Sequence, residues 1–223
     1  MNRLILEVCV DNYPDAADAA KAGADRLELC GALCVGGITP RVELYRAIRD
    51  DVRIPIAVMI RTHAAGFEFD AADVKEQRRS IAEFHPHRPA AFVFGALTRE
   101  RTLDLSVLAE LKASCGDTPV VMHRAFDAVR DQFLALDQLV ELGFQRVLTS
   151  GNAATAPEGA VRLTELIQRA NGRITVLPGG GIRLQHLDDL HRQTGFREVH
   201  GSFRKNVAAV RRWLDHSAKR SGL

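Results

Sequence analysis

Leu4-Ile-Leu-Glu-Val-Cys-Val10 is a short apolar segment, and Asp25-Arg-Leu-Glu-Leu-Cys30 repeats its triplet Glu-x-Cys one helix length later. Side chains alternate between the two faces of a β-strand, so the glutamate and the cysteine of each triplet share one face. If the two segments are neighbouring strands, two carboxylates and two thiols converge. This duplication therefore predicts both a parallel βα arrangement and a polar site.

The same pattern, an apolar run followed by a turn and a stretch with helical periodicity, occurs eight times along the 223 residues. The candidate strands are Leu4–Val10, Arg26–Cys30, Ile56–Arg61, Ala91–Gly95, Pro119–Arg124, Arg146–Ser150, Ile174–Pro178 and Glu198–Gly201. Eight βα units in this length favour a closed parallel barrel over an open doubly wound sheet. We predict an α/β fold, a single (β/α)8 TIM-type barrel that forms one domain over residues 1–223.

Local signals mark the helices between these strands. Pro14 lies in the first turn of the first helix, and Thr39 followed by Pro40 predicts the N-cap and first residue of the second. Thr155 and Glu158 have the spacing of a capping box. Strand and helix therefore alternate throughout.

Composition limits the classes of function. The chain has 30 basic and 28 acidic residues and a net charge of +2, which does not favour nucleic-acid binding. The sequence has no signal peptide and no run of about 18 apolar residues, so we expect a cytoplasmic protein that does not enter the membrane. The four cysteines form no Cys-x-x-Cys pair and are expected to be free thiols or metal ligands.

Binding groups of a barrel gather where the strands end, at the carboxyl face. Polar residues of this chain fall at those positions: Cys9, Cys30, Arg61, His123, Arg124, Asp127, Thr149, Ser150, His200 and Ser202. Alternation along the second strand directs Arg26, Glu28 and Cys30 into the barrel and Leu27 and Leu29 outward.

Two inward glutamates, Glu7 and Glu28, would repel each other unless each has a cation or they share a proton. The available counter-charges are Arg26, Arg61 and Arg124. One interpretation is a structural ion-pair network. The other is that one carboxylate is a general acid or base beside His123 or His200. The sequence leaves both open.

Cys9 and Cys30 also allow two interpretations. Free cysteines are usually small buried hydrophobic residues. Thiols on strands about 4.8 Å apart could instead share a soft monovalent ion such as Cu(I). The chain has only three methionines, which is unlike a copper-delivery surface.

The third candidate site is Leu177-Pro-Gly-Gly-Gly-Ile182, which follows the seventh apolar run. Amides of Gly179, Gly180 and Gly181 could hold an anion, because loops after strands seven and eight form the usual phosphate site of barrels. A tight turn is the alternative. Ser150 could add a donor on the same rim.

Eight stretches resemble the copper homeostasis proteins called CutC. They are Leu6-Glu-Val-Cys-Val-Asp11, Gly23-Ala-Asp-Arg-Leu-Glu-Leu-Cys30, Gly36-Gly-Ile-Thr-Pro40, Pro55-Ile-Ala-Val-Met-Ile-Arg61, Phe92-Val-Phe-Gly-Ala-Leu97, His123-Arg-Ala-Phe-Asp127, Arg146-Val-Leu-Thr-Ser-Gly151 and Pro178-Gly-Gly-Gly-Ile182. The resemblance implies a (β/α) barrel, a cytoplasmic location, homo-oligomers and a copper role. It also implies that Cys9 and Cys30 are the Cu(I) ligands.

The chain departs from that family in two loops. The family usually continues Arg-Pro-Arg-Gly-Gly-Asp-Phe after the third strand, whereas this chain reads Arg61-Thr-His-Ala-Ala-Gly-Phe67. Cys34 adds a thiol after Cys30, and Val35 stands where an acidic residue is common. The segment after the last strand is also short.

A two-thiol metal site does not need the other polar groups of this rim. They suggest a second hypothesis, an enzyme pocket for a small anionic or phosphorylated ligand. In it Glu7, Glu28 or His123 would move a proton, and the anion would be held by Arg61, Arg124, Asp127, Ser150, His200 and the glycine loop. A third hypothesis is a catalytically inactive scaffold.

Overall fold

The structure, a computed structural model, describes residues 3–220, in which eight strands alternate with eight α-helices. The strands are β1 (Ile5–Val10), β2 (Arg26–Leu29), β3 (Ile56–Met59), β4 (Ala91–Phe94), β5 (Val120–Met122), β6 (Arg146–Thr149), β7 (Thr175–Pro178) and β8 (Glu198–Gly201). The helices are α1 (Tyr13–Lys21), α2 (Val42–Asp51), α3 (Ala71–Phe84), α4 (Leu105–Ser114), α5 (Gln132–Glu141), α6 (Ala160–Ala170), α7 (Leu187–Thr194) and α8 (Val207–Arg220). Across these residues, every helix is too short or too polar to cross a bilayer.

All neighbouring strands are parallel, and they follow chain order from β1 to β7, with β8 beside β1. A parallel bridge between Gly179 and His200 joins the end of β7 to β8 and closes the sheet. The predicted (β/α)8 barrel is confirmed. Closure brings β1 and β2, from the start of the chain, next to β8, from its end.

Each predicted strand is present, but most end one or two residues earlier than predicted. Residues such as Cys30, Arg61 and Ser150 lie just beyond the last ladder pair and begin the loops. The predicted start of the second helix is wrong, because α2 begins at Val42. The Thr39 hydroxyl accepts from the backbone N–H of Arg61 at 2.9 Å instead, so it joins two loops.

The inside of the barrel has an apolar half and a charged half. Six buried side chains form the apolar half: Cys30, Ala57, Met59, Ala91, Val93 and Val121. Charged side chains of β1, β2, β6 and β8 occupy the other half. A separate, larger core packs the outer faces of the strands against the helices. The polar site therefore lies on one side of the barrel axis.

Candidate functional site

Glu7 is at the centre of a buried ion-pair network. Its carboxylate accepts a hydrogen bond from Nε of Arg26 and lies 2.7 Å from Nδ1 of His200. A second nitrogen of Arg26 donates to the carboxylate of Glu198. Burial alone would raise the pKa of Glu7, but Arg26 and His200 lower it below its ordinary value. Glu7 is therefore an ionised carboxylate between two cations.

His200 connects Glu7 to Glu28. Its Nε2 lies 3.7 Å from the Glu28 carboxylate, on the other side of the ring from Glu7. Burial would lower the pKa of His200, but Glu28, Cys9 and Glu7 raise it well above its ordinary value. Burial also raises the pKa of Glu28. The imidazolium form of His200 lies between both carboxylates, and Arg26 supplies the second positive charge, which supports the ion-pair interpretation.

The counter-charges differ from those proposed from the sequence. Arg26 pairs with Glu7 as expected, whereas Arg61 and Arg124 contact other groups. Sequence analysis missed Arg146 and Glu198, which also face the network. Strand alternation could have identified both residues. Arg146 is four positions before Ser150 and Glu198 is two positions before His200, so each shares a strand face with a residue already predicted to bind at the rim.

Cys9 and Cys30 lie on adjacent strands at the mouth of the barrel. Cys9 is level with Glu28 in the β1–β2 register, so Cys30 lies two residues further toward the mouth. Cys30 is only 1% exposed, and its thiol donates to the Glu28 carboxylate at 3.6 Å. Burial and the charge of Glu28 raise the pKa of Cys30 well above its ordinary value, and the proximity of Cys9 adds to the effect. Cys9 also lies beside His200.

Glu7, Glu28 and His200 place one ligand atom each within 4.8 Å of one another. Carboxylates and imidazole suit zinc or manganese, whereas Cu(I) prefers thiolates. A divalent cation here would displace the proton of His200 and lie beside the positive Arg26. This trio is therefore better suited to share a proton than to hold a metal.

Cys34 lies outside the mouth. The loop after β2 turns Leu33 onto the apolar half of the interior and leaves Cys34 exposed. Asp11 fixes this loop by accepting from the backbone N–H of Leu33 at 3.1 Å. The extra thiol of this chain therefore faces solvent while Cys30 is buried.

Arg124, Asp127 and Ser150 form a second polar cluster, on the β5 and β6 loops. Arg124 donates from Nε to Asp127 at 2.8 Å and from Nη2 to the Ser150 hydroxyl at 2.9 Å. Asp127 also accepts from the Thr149 hydroxyl and from the backbone N–H of Ser150. Asp127 thus ties the two loops together, while Arg124 remains 43% exposed.

The glycine-rich loop after β7 lies against this cluster. A Cβ atom on Gly179 would lie 2.5 Å from Cδ1 of Leu148, so packing alone requires glycine there. Gly180 and Gly181 have φ of 103° and 67°, a region that L side chains rarely adopt. A Cβ on Gly180 would lie 3.0 Å from Nη1 of Arg124. Packing explains Gly179 and turn geometry explains Gly180 and Gly181, and the loop places its backbone beside a guanidinium.

His123 and Arg61 lie near the mouth, and both contact Phe67. The Cζ atom of Arg61 is 4.7 Å from the centre of the Phe67 ring, and the centre of the His123 ring is 5.1 Å from it. Arg61 donates to the carbonyls of Gly37 and Gly66. Burial and the charge of Arg61 lower the pKa of His123 to about 3. His123 is therefore a neutral imidazole at physiological pH.

Sequence analysis missed Phe67 and Gly95 as parts of this group. A Cβ on Gly95 would lie 2.8 Å from the His123 ring, so glycine is needed there for the ring to fit. The signal available in the sequence was Gly95 itself, because a glycine directly after the bulky residues of β4 indicates that another group approaches the backbone closely.

Comparisons with known proteins identify the family of this chain. The profile of the CutC family matches residues 4–205. The human protein called copper homeostasis protein cutC homolog is 40% identical over 203 residues, which are 91% of this chain and 74% of that protein. A Sinorhizobium medicae protein called family protein CutC is 45% identical over 203 residues, 91% of this chain and 82% of that protein.

Solved structures show the same architecture. A CutC crystal structure from Streptococcus agalactiae has a TM-score of 0.85 at 30% identity and covers 89% of this chain and 98% of that one. An aldolase called QR15 has a TM-score of 0.68 at 11% identity, covers 98% of this chain and 97% of that one, and shares the fold alone. The family match extends from the first strand to the loop before α8 and includes both Glu-x-Cys triplets, and with these relatives it shows that this chain belongs to the CutC family.

Proposed function

We propose that this CutC-family protein acts in copper homeostasis by binding Cu(I) through Cys9 and Cys30. The observation that supports the proposal is the position of the two thiols. Cys9 lies on β1 and Cys30 directly follows β2, its hydrogen-bonded neighbour, where the Cys30 backbone N–H donates to the Val10 carbonyl at 2.9 Å. Cys9 is close enough to contribute to the raised pKa of Cys30. The names of the human and mouse relatives and of the Streptococcus agalactiae structure include copper homeostasis, whereas the name of the Sinorhizobium medicae relative does not mention copper.

The donor set fits a soft monovalent ion. Two thiolates are the ligands that Cu(I) prefers, and the apolar side chains around Cys30 exclude water from the sulfur. The high pKa of Cys30 means that the free thiol keeps its proton. Metal binding must therefore release protons, because only the thiolate is a ligand.

A competitive Cu(I) titration of the reduced protein tests this proposal. We expect one tight site in the wild type and loss of that site in the Cys9→Ser/Cys30→Ser double variant. The matched control is Cys34→Ser, which removes an exposed thiol and should leave the affinity within about twofold. Equal binding by the double variant would exclude the proposed ligands.

A second candidate function is the binding of a small anion at the barrel mouth, as in an enzyme acting on a phosphorylated substrate. It is favoured by Arg124, which is partly exposed and lies against the backbone of Gly180. Asp127 already neutralises part of its charge, so this site suits a weakly held anion.

Thermal unfolding with inorganic phosphate tests this candidate, because a ligand that binds only the folded state raises Tm. We expect an increase in wild type that disappears in Arg124→Gln. Arg78→Gln, at an exposed ion pair on α3, is the control for a general salt effect. An equal increase in all three proteins would exclude a specific site.

A further inference from the structure

Arg61 is a buried cation without a carboxylate partner in residues 3–220. It is 5% exposed, and no acidic side chain of the described chain lies within 4 Å of its guanidinium. Two of its nitrogens donate to the carbonyls of Gly37 and Gly66, and its Nε has no partner in that part of the chain. A buried charge is stable only when it is paired. Arg61 therefore has one nitrogen, Nε, without an acceptor and one positive charge without a carboxylate partner in residues 3–220.

His123 supplies a second unused donor. The backbone N–H of Ala125 donates to Nδ1 of His123 at 3.2 Å, so Nδ1 carries no proton. The neutral ring must then carry its proton on Nε2. That atom is buried and, over residues 3–220, has no hydrogen-bond partner. His123 is thus arranged to donate a hydrogen bond and is unsuited to the role of general base.

Phe67 contacts both groups, so the side chains of Arg61 and His123 are neighbours near the barrel mouth. We propose that Nε of Arg61 and Nε2 of His123 bind a small carboxylic acid, with its carboxylate on Arg61 and an oxygen acceptor on His123. One positive charge balances a monoanion, and a neutral imidazole adds no second charge for a phosphate dianion. Both donor atoms are buried, so binding requires the surrounding side chains to shift.

This inference goes beyond the second candidate function, because it places a monocarboxylate at a separate site. It does not involve Cys9 or Cys30. Its site also differs from the phosphate site tested with Arg124→Gln. Failure of copper binding or of phosphate binding therefore leaves its own test unaffected.

The test uses pyruvate as the probe, with acetate and inorganic phosphate for comparison. Calorimetry gives the affinity, and side-chain 15N NMR reports the Nε2 atom of His123. We expect pyruvate to bind the wild type and to shift the Nε2 resonance. His123→Asn keeps an acceptor for Ala125 but removes the Nε2 donor, and it should weaken binding about 10- to 100-fold.

Two further variants separate donor loss from misfolding. His123→Gln places an amide N–H near the position of Nε2 and should recover part of the affinity. Arg61→Lys removes the Nε donor and should weaken binding by a similar factor, whereas Arg78→Gln, at an exposed ion pair on α3, should not change it. The proposal is overturned if wild-type Nε2 does not respond to pyruvate, if His123→Asn binds as well as wild type, or if phosphate shifts the Nε2 resonance as strongly as pyruvate does.

Discussion

The two halves of the barrel interior fill similar space with opposite chemistry. The apolar half needs only the right volume, which Met59, Val93 and Val121 supply against small alanines. The charged half needs every charge to have a partner, and it contains three cationic and three anionic groups when His200 is protonated. These groups are Arg26, Arg146, His200, Glu7, Glu28 and Glu198. The comparison indicates that the charged half should tolerate substitution less well.

The largest effect is expected from Arg26→Met. This change removes the cation that joins Glu7 to Glu198 and leaves a buried carboxylate with only His200 beside it. We expect a loss of about 3–5 kcal/mol in the free energy of unfolding, measured with urea. Arg78→Met is the matched control, because its ion pair with Glu110 is exposed and should contribute at most about 1 kcal/mol. Equal losses in the two variants would show that the buried ion pair contributes no more to the free energy of unfolding than the exposed one.

Met59→Ala tests the apolar half. The cavity that it leaves should cost about 2–4 kcal/mol, while Met59→Leu should cost less than about 1.5 kcal/mol because volume is conserved. Arg26→Lys is the corresponding conservative change in the charged half. We expect Arg26→Lys to lower the free energy of unfolding more than Met59→Leu does. The lysine ammonium lacks the planar set of donors with which arginine bonds two carboxylates at once. The reverse order in urea unfolding would contradict the comparison.

The charged half also predicts a loss of stability that begins near neutral pH. The folded-state pKa of His200 is raised above its ordinary value of 6.5. Its contribution to stability is therefore fully present below about pH 6.5 and is lost as pH rises through the raised pKa. Urea unfolding at a series of pH values should show this decline in wild type. His200→Gln should lack it, and an identical decline in the variant would assign the effect to another group.

The smallest effect is expected from Arg146→Met. Arg146 has two buried nitrogens without a hydrogen-bond partner in residues 3–220, and burial lowers its pKa. The cost of burying its charge offsets much of its attraction to the carboxylates, so we expect a change of less than about 1.5 kcal/mol in urea unfolding. A loss as large as that of Arg26→Met would mean that the stability of the charged half depends on its net charge and not on individual ion pairs.

Sequence patterns predicted the strands and the inward direction of Glu7, Glu28 and Cys30, because both depend on local alternation. They did not predict His200 as the partner of both glutamates. His200 lies 193 residues from Glu7 along the chain, and only barrel closure brings them together. The position of Arg61 was also beyond local reasoning, because the loop around Gly66 decides which acceptors it meets.

The central claim is that the thiols, and not the neighbouring carboxylates and imidazole, bind copper. The most direct test is the copper K-edge X-ray absorption spectrum of the reduced protein loaded with one equivalent of Cu(I). We predict two-sulfur coordination that is lost in Cys9→Ser and in Cys30→Ser. Nitrogen or oxygen coordination in wild type, unchanged in both variants, would contradict the assignment and point to Glu7, Glu28 and His200 instead.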